Sequence, residues 1–342
     1  MKRIYSLDVL KLVFAYIIAF FHFGTEIAPG PTVTVQVFFI ISGFFLAKKY
    51  YSRSYPDGGY SAWDYSLDHV KGIYPHYLFS LMVLFAYMLA RSLVELVKAP
   101  SWAGLAAIAE DFYYQIPDLF LLQSSYRFHE SYNYPLWQLS ALVIAGYFVY
   151  ALLCHNEKLS RRILFPAAIL MIQSLLNTGV DLWENYALFY VPLLRAFSPL
   201  CIGVLAFYFT TTPLYEKVKG YRVPFNLAVL GSLVSIFVYS DRANIFLITT
   251  VILLWGCYDE SSWINKLLNH RIFKHCGKFS YAIYLNHALI ARLVQARVLS
   301  RFAMVPWQQN VLYFGVLTVY SVFTLFLVEA GKVRNRKERV VS

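Results

Sequence analysis

Apolar runs of about twenty residues, the length that crosses a hydrocarbon core as a helix, recur through this chain of 342 residues. A backbone immersed in lipid must satisfy its own hydrogen bonds, so such runs fold as helices packed on one another. Composition agrees: 59% of the residues are hydrophobic and only 14% charged, far from the balance of a soluble domain. The sequence predicts an all-α, polytopic transmembrane helix bundle of about ten spans. They cover Tyr5 to Ile27, Thr34 to Tyr51, Ile73 to Val97, Pro135 to Cys154, Ile163 to Leu176, Tyr186 to Thr210, Val223 to Tyr239, Asn244 to Tyr258, Phe279 to Leu299 and Trp307 to Ala330. Nine or eleven spans are the alternatives, because the run from Ile163 is short and Arg242 closely bounds the run from Asn244.

Basic flanks are retained in the cytoplasm, and here they fall on alternate loops. With both termini cytoplasmic, the inner segments carry Lys2, Arg3, Lys48, Lys49, Arg53, Lys71, Lys158, Arg161, Arg162, Lys217, Lys219, Lys274, Lys278 and the group from Lys332 to Arg339, whereas the outer loops carry Lys98, Arg127, Arg242 and Arg301. The formal charge of +11 is then a topology signal that requires no nucleic acid, though a basic inner rim also attracts anionic membrane lipid. Asp8 and Lys11 interrupt the first run, and no A-x-A pattern follows it, so it reads as a retained span and not as a cleaved signal. The four cysteines form no C-x-x-C pair, which argues against both a zinc site and structural disulfides. Between Lys98 and Tyr134, a stretch broken by Pro117 reads as a helical hairpin at, or dipping into, the outer interface.

The first span carries the most informative polar residues. At 100° per residue, with His22 at zero, Lys11 falls near roughly −20° and Asp8 and Glu26 near roughly +40°, so one narrow stripe holds all four. Ala15 and Ala19 lie on or beside that stripe and leave room for a helix or a ligand chain. Charged groups at membrane depth mark a substrate or ion path, or an interhelical pairing. Asp8 and Lys11 have the spacing of a structural ion pair, and His22 that of an interhelical hydrogen bond, so both structural and functional readings stand. As chemistry, a neutral imidazole takes a proton from a hydroxyl near neutral pH and so activates a weak oxygen nucleophile.

Five segments extend this pattern: Asp8, Lys11 and His22 in the first span; "FFIISGFFL" from Phe38 to Leu46; "KGIYPHY" from Lys71 to Tyr77; "PLWQLS" from Pro135 to Ser140; and "GKFSYAIYLNH" from Gly277 to His287. In this order they resemble the motifs of the acyltransferase family 3 membrane proteins, over nearly the whole chain. The resemblance implies a transmembrane acyltransferase domain over 1–331 and a basic cytoplasmic tail over 332–342. It implies O-acyl transfer from acyl-CoA, acetyl-CoA in the first place, to a hydroxyl of a surface glycan or lipid-linked glycan at the bacterial plasma membrane, with no metal. Three positions depart from the family pattern: Lys11 stands where Arg is usual, His69 and Gly72 stand in place of R-x-x-R, and Asn286 stands where Trp is usual.

The same resemblance implies roles. His22, Asp8 and Lys11 form the catalytic set, with His22 as general base or, in the rival scheme, as an acyl carrier. Lys48, Lys49, His69, Lys71 and His287 are candidates for holding the donor, His287 near the inner side, and Glu26 and Trp137 are candidates for the acceptor. Trp137 also suits an interfacial anchor. Arg195, inside a span, calls for a buried carboxylate, and Glu329 for a partner at the inner rim. Ser42 and Gly43 read as helix packing. The alternatives are a transporter, which the absence of internal repeats disfavours, and a non-catalytic member of the same fold. With no further domain expected, any additional extracytoplasmic step falls to a separate partner.

Overall fold

The computed structural model describes residues 3–25, 31–54, 59–125, 131–181, 183–186, 189–238 and 243–341. The described chain is helical, apart from a two-residue antiparallel pair, β1 (Asn185–Tyr186) with β2 (Phe189–Tyr190). Its helices are α1 (Tyr5–Phe23), α2 (Pro31–Arg53), α3 (Ala62–Lys98), α4 (Trp102–Tyr114), α5 (Ile116–Leu119), α6 (Trp137–Leu159), α7 (Phe165–Leu176), α8 (Val191–Phe209), α9 (Pro213–Gly220), α10 (Arg222–Val238), α11 (Ala243–Tyr258), α12 (Trp263–Leu268), α13 (Cys276–Val294) and α14 (Pro306–Val341). Five described segments are long and apolar enough to cross a membrane, and six are if the sharply bent pair α9–α10 counts as one.

One of those five, Tyr134–Leu176, is two helices. Asn156 has φ −157° and ψ 95°, outside helical space, and the chain turns back there. Trp137 at the start of α6 therefore meets Trp183, just past α7, with ring centroids 5.3 Å apart. A straight helix of that length would separate those two ends by roughly 60 Å. Helix ends elsewhere follow local chemistry. Ser61 and Asp64 form a reciprocal capping box at the start of α3, and Gly24 closes α1 in the left-handed region at φ 96°.

Two helix pairs set the framework. α2 and α8 run parallel, and glycine permits the approach: a Cβ at Gly43 would overlap the Leu200 backbone, and one at Gly203 the Ile40 backbone. Packing is thus the observed role of Gly43. α1 and α13 also run parallel, with Asp8 against Gly277 at one end and His22 against His287 at the other. α14 lies along both. Its Tyr313 hydroxyl is 3.1 Å from the carbonyl of Ala19 and 3.1 Å from that of His287.

The segment after α3 folds back as helices against it. α4 returns antiparallel to α3, with Phe112 against Phe85, and α5 brings the carbonyls of Asp118 and Leu119 to the hydroxyls of Tyr77 and Tyr74. The sequence expected helix α14 to end before a solvated tail, yet its backbone stays helical through Val341.

Candidate active site

Asp8 and Gly277 meet at the inner end of the α1–α13 seam. The Asp8 carboxylate binds Arg3 (Nε–Oδ2 2.6 Å), and only glycine at position 277 leaves space for it. The expected Asp8–Lys11 pair does not form. Arg3, just ahead of the helix, reaches the carboxylate directly, and the Lys11 ammonium lies 5.3 Å over the Phe45 ring.

Other basic candidates divide into two sets. Lys49 binds Asp68 at 3.1 Å and lies over the rings of Tyr60 and Tyr65. His69 stacks on Tyr65, lies within electrostatic reach of both Lys49 and Lys11, and has a buried Nε2 with no partner. Lys11, Lys49 and His69 therefore share one neighbourhood. Lys48 turns to the Tyr258 ring at 5.0 Å, and Lys71 is exposed with Asp64 as its charged neighbour. Glu329 is paired at the inner rim, as its position required, with His76 at 3.1 Å and with Lys278. A groove of about 440 Å³ opens between these groups, lined in part by Asp8, Gly72 and Glu329. Gly72 is the position where the family motif has Arg, and nothing lies within 4 Å of where its Cβ would be.

His22 lies roughly 21 Å from Asp8 along α1, one residue before the helix ends at Phe23. Its ring stacks on that of His287, with centroids 5.2 Å apart and planes at 21°, and the Tyr134 ring meets it edge-on at 5.0 Å. His287 Nδ1 is 2.6 Å from the Tyr284 carbonyl oxygen. A carbonyl only accepts, so Nδ1 carries the proton and Nε2 is left with a free lone pair. That Nε2 is buried and has no hydrogen-bond partner. Such a group is rare in a native interior, where nearly all buried polar atoms are paired. His22 is only partly buried, so substrate can reach it.

The surroundings hold this pair in place. The Tyr284 hydroxyl bonds the Pro135 carbonyl and Asn133 Nδ2 donates to the Leu285 carbonyl at 3.2 Å, which fixes Tyr134 against α13. Asn286 donates to Thr324 at 2.8 Å, so an amide in place of the usual Trp finds a hydroxyl on α14.

Three expectations need correction. His287 sits beside His22 and not at the inner rim, because ten residues of α13 separate it from Gly277. Trp137 is 8% exposed and stacks with the Arg195 guanidinium at 5.0 Å, which rules out an interfacial anchor. Arg195 has no carboxylate partner among the described residues; Trp137 and Trp183 flank it instead. Glu26 lies outside the described residues. Tyr134, Tyr284 and Tyr313 were not singled out, although two of them lie in or beside the quoted motifs. Among the described residues, no cluster of histidine, cysteine and carboxylate groups is arranged to hold a metal ion.

Taken together, the seam has a paired, charged end at Asp8 and, at its other end, a partly exposed imidazole stacked on a buried one. The family described as "Acyltransferase domain" matches residues 4–330, nearly the whole chain. No curated protein and no solved structure matches it.

Proposed function

The chain belongs to acyltransferase family 3, and from that premise we propose that it transfers an acetyl group from cytoplasmic acetyl-CoA to a hydroxyl of a surface glycan or its lipid-linked precursor. The observation that carries this reading is the stack of partly exposed His22 on His287, whose buried Nε2 has no hydrogen-bond partner. In this reading the chain makes ten spans in the bacterial plasma membrane, with both termini inside. The α6–α7 reversal at Asn156 supports counting two spans there.

The CoA phosphates are held at the inner end by Lys11, Lys49 and His69, with Lys48 at the edge of the same face. A lysine supplies a point charge where the family's Arg supplies a fork, so the donor is held by several single contacts. Exposed Lys71 contributes only to the general field. Asp8, bound to Arg3, is a positioning residue that holds the inner end of α1 on α13. The pantetheine arm brings the thioester to His22 by a route other than the Ala15–Ala19 face, because that face is fully buried against Ile283 of α13.

The acceptor enters from the outer side. His22 takes its hydroxyl proton as the oxygen attacks the thioester carbonyl; the tetrahedral intermediate then collapses, the C–S bond breaks, and the CoA thiolate takes the proton back from the imidazolium. His287, its Nδ1 tied to the Tyr284 carbonyl, stacks on His22 and sets the angle of that ring. A second positive charge on a ring 5.2 Å away is unfavourable, so only one of the two rings is an imidazolium at a time.

Mass spectrometry of the surface glycan from cells with the wild-type protein, the His22→Ala variant and no protein tests the proposal. An acetyl increment present only with the wild type is expected. An increment that persists with His22→Ala would sink the assignment of the base.

A further inference from the structure

Arg195 is a buried cation without an anion. It lies one turn into α8 and is 5% exposed. Its guanidinium carbon is 5.0 Å from the Trp137 ring centre and 5.3 Å from that of Trp183. Nη1 is fully buried without a hydrogen-bond partner, and among the described residues Tyr190 is the only titratable group that acts on it. A charge in this setting is costly, and cation–π contacts offset only part of the cost. The two indoles lie on the same side of the guanidinium, with ring centroids 5.3 Å apart and planes at 88°, so they do not sandwich it. The Nη1 edge is left unused.

Two features give that edge a direction. Trp183, on the chain between α7 and α8, is 42% exposed, so one wall of the Arg195 site reaches the outer surface. Trp137, the other wall, follows Tyr134 by three residues, and the Tyr134 ring touches His22. The unused Nη1 edge thus lies beside two indoles, one of them exposed and the other three residues from the Tyr134 ring that touches His22.

We propose that Arg195, flanked by Trp137 and Trp183, is the acceptor-recognition subsite, and that the acceptor is an acidic glycan whose sugar carboxylate docks on the guanidinium. The inference rests on the acyl-transfer reading for its word "acceptor", though binding at the site stands apart from turnover. A planar carboxylate matches the planar fork with two parallel hydrogen bonds. Its single negative charge balances a single cation, and the exposed indole supplies a face for the sugar ring. The carboxylate end then holds the sugar so that a ring hydroxyl faces His22.

The test uses the full chain in nanodiscs, with tryptophan fluorescence titrated against glucuronate, glucose and glucose 1-phosphate. Two of the reporting indoles flank Arg195. Glucuronate is expected to give a saturable change that glucose does not give, and the phosphate a weaker one. Arg195→Gln is expected to weaken glucuronate by about tenfold or more, with Arg195→Lys between the two, as befits loss of a charge-assisted contact. Trp183→Ala, at a half-exposed site, serves as the second variant should Arg195→Gln fail to fold, and is expected to weaken glucuronate by about threefold or more. Equal responses to glucuronate and glucose, unchanged binding in the folded variants, or preference for the phosphate would overturn the proposal. Thiol release from acetyl-CoA, followed in parallel, separates the two readings. Binding without any turnover removes the acyl-transfer reading and leaves an acidic-sugar site; turnover without glucuronate binding removes the subsite alone.

Discussion

α2 on α8 and α1 on α13 are both parallel helix pairs in close contact, and their contact surfaces are chemically opposite. Between α2 and α8, glycine brings backbone onto backbone at Gly43–Leu200 and Gly203–Ile40, and the large side chains beside them, Phe39, Ile40 and Phe44, are fully buried. Between α1 and α13, Ala15, Ala19 and Ile283 fill the middle, while a bound carboxylate and two imidazoles occupy the ends. At its glycines the first surface is backbone and apolar side chain alone; the other keeps a lone pair in reserve. Groups held in reserve stay in position only when the scaffold around them is rigid. The glycine-tight pair provides that rigidity, and the seam beside it holds the chemistry.

Substitutions at the two pairs should therefore fail in different ways. The largest expected effect is that of His22→Ala, which should lower acetyl-CoA-dependent turnover by about 10²–10⁴-fold, the worth of a general base, while the thermal midpoint of the purified protein stays the same. Gly203→Leu should do the reverse. Its side chain has no space against Ile40, so a loss of stability of about 3 kcal/mol or more is expected, beyond ordinary overpacking because backbone must move. Thermal unfolding in detergent would measure it. A Gly203→Leu protein as stable as the wild type would end the contrast drawn here.

His287→Phe keeps a flat ring on His22 and removes the Nδ1 tie and the lone pair. It should cut kcat by about tenfold to a hundredfold, with the KM for acetyl-CoA little changed, as for a residue that acts through its neighbour. A change confined to KM would return His287 to the donor-holding role first inferred from its motif. The smallest expected effect is at the inner end. Lys49→Ala should raise the KM for acetyl-CoA by about threefold, because Lys49 is one of several point charges on a solvated rim. Added salt should shrink that difference further.

The all-helical architecture, with five or six segments long and apolar enough to span a membrane, and the polar stripe of α1 were legible because lipid imposes a simple rule on which residues face it. Helical spacing alone put His22 well above Asp8 and Lys11 on one face. The partners on that face were less legible, since they depend on which helices meet and at what register. Nothing in local spacing says that Asp8 meets Gly277, or that Arg3 displaces Lys11 as its ion partner. His287 was found through its motif and given the wrong depth, because the distance along α13 counts from where the helix begins, at Cys276. Arg195 was correctly read as a buried charge in need of company. That its company is two indoles follows from the reversal at Asn156, which the separate runs Pro135 to Cys154 and Ile163 to Leu176 anticipated without giving the register that joins Trp137 to Trp183.

The Tyr313 hydroxyl reaches the backbone of α1 at Ala19 and of α13 at His287, at 3.1 Å each. Both histidines are thereby referenced to one atom on a third helix and not to the lipid surface. When a bilayer thins or thickens, spanning helices adapt by tilting; three helices pinned together at this level tilt as a unit. The depth of the reacting carbon is then a property of the protein, and turnover should be insensitive to the acyl-chain length of the surrounding lipid.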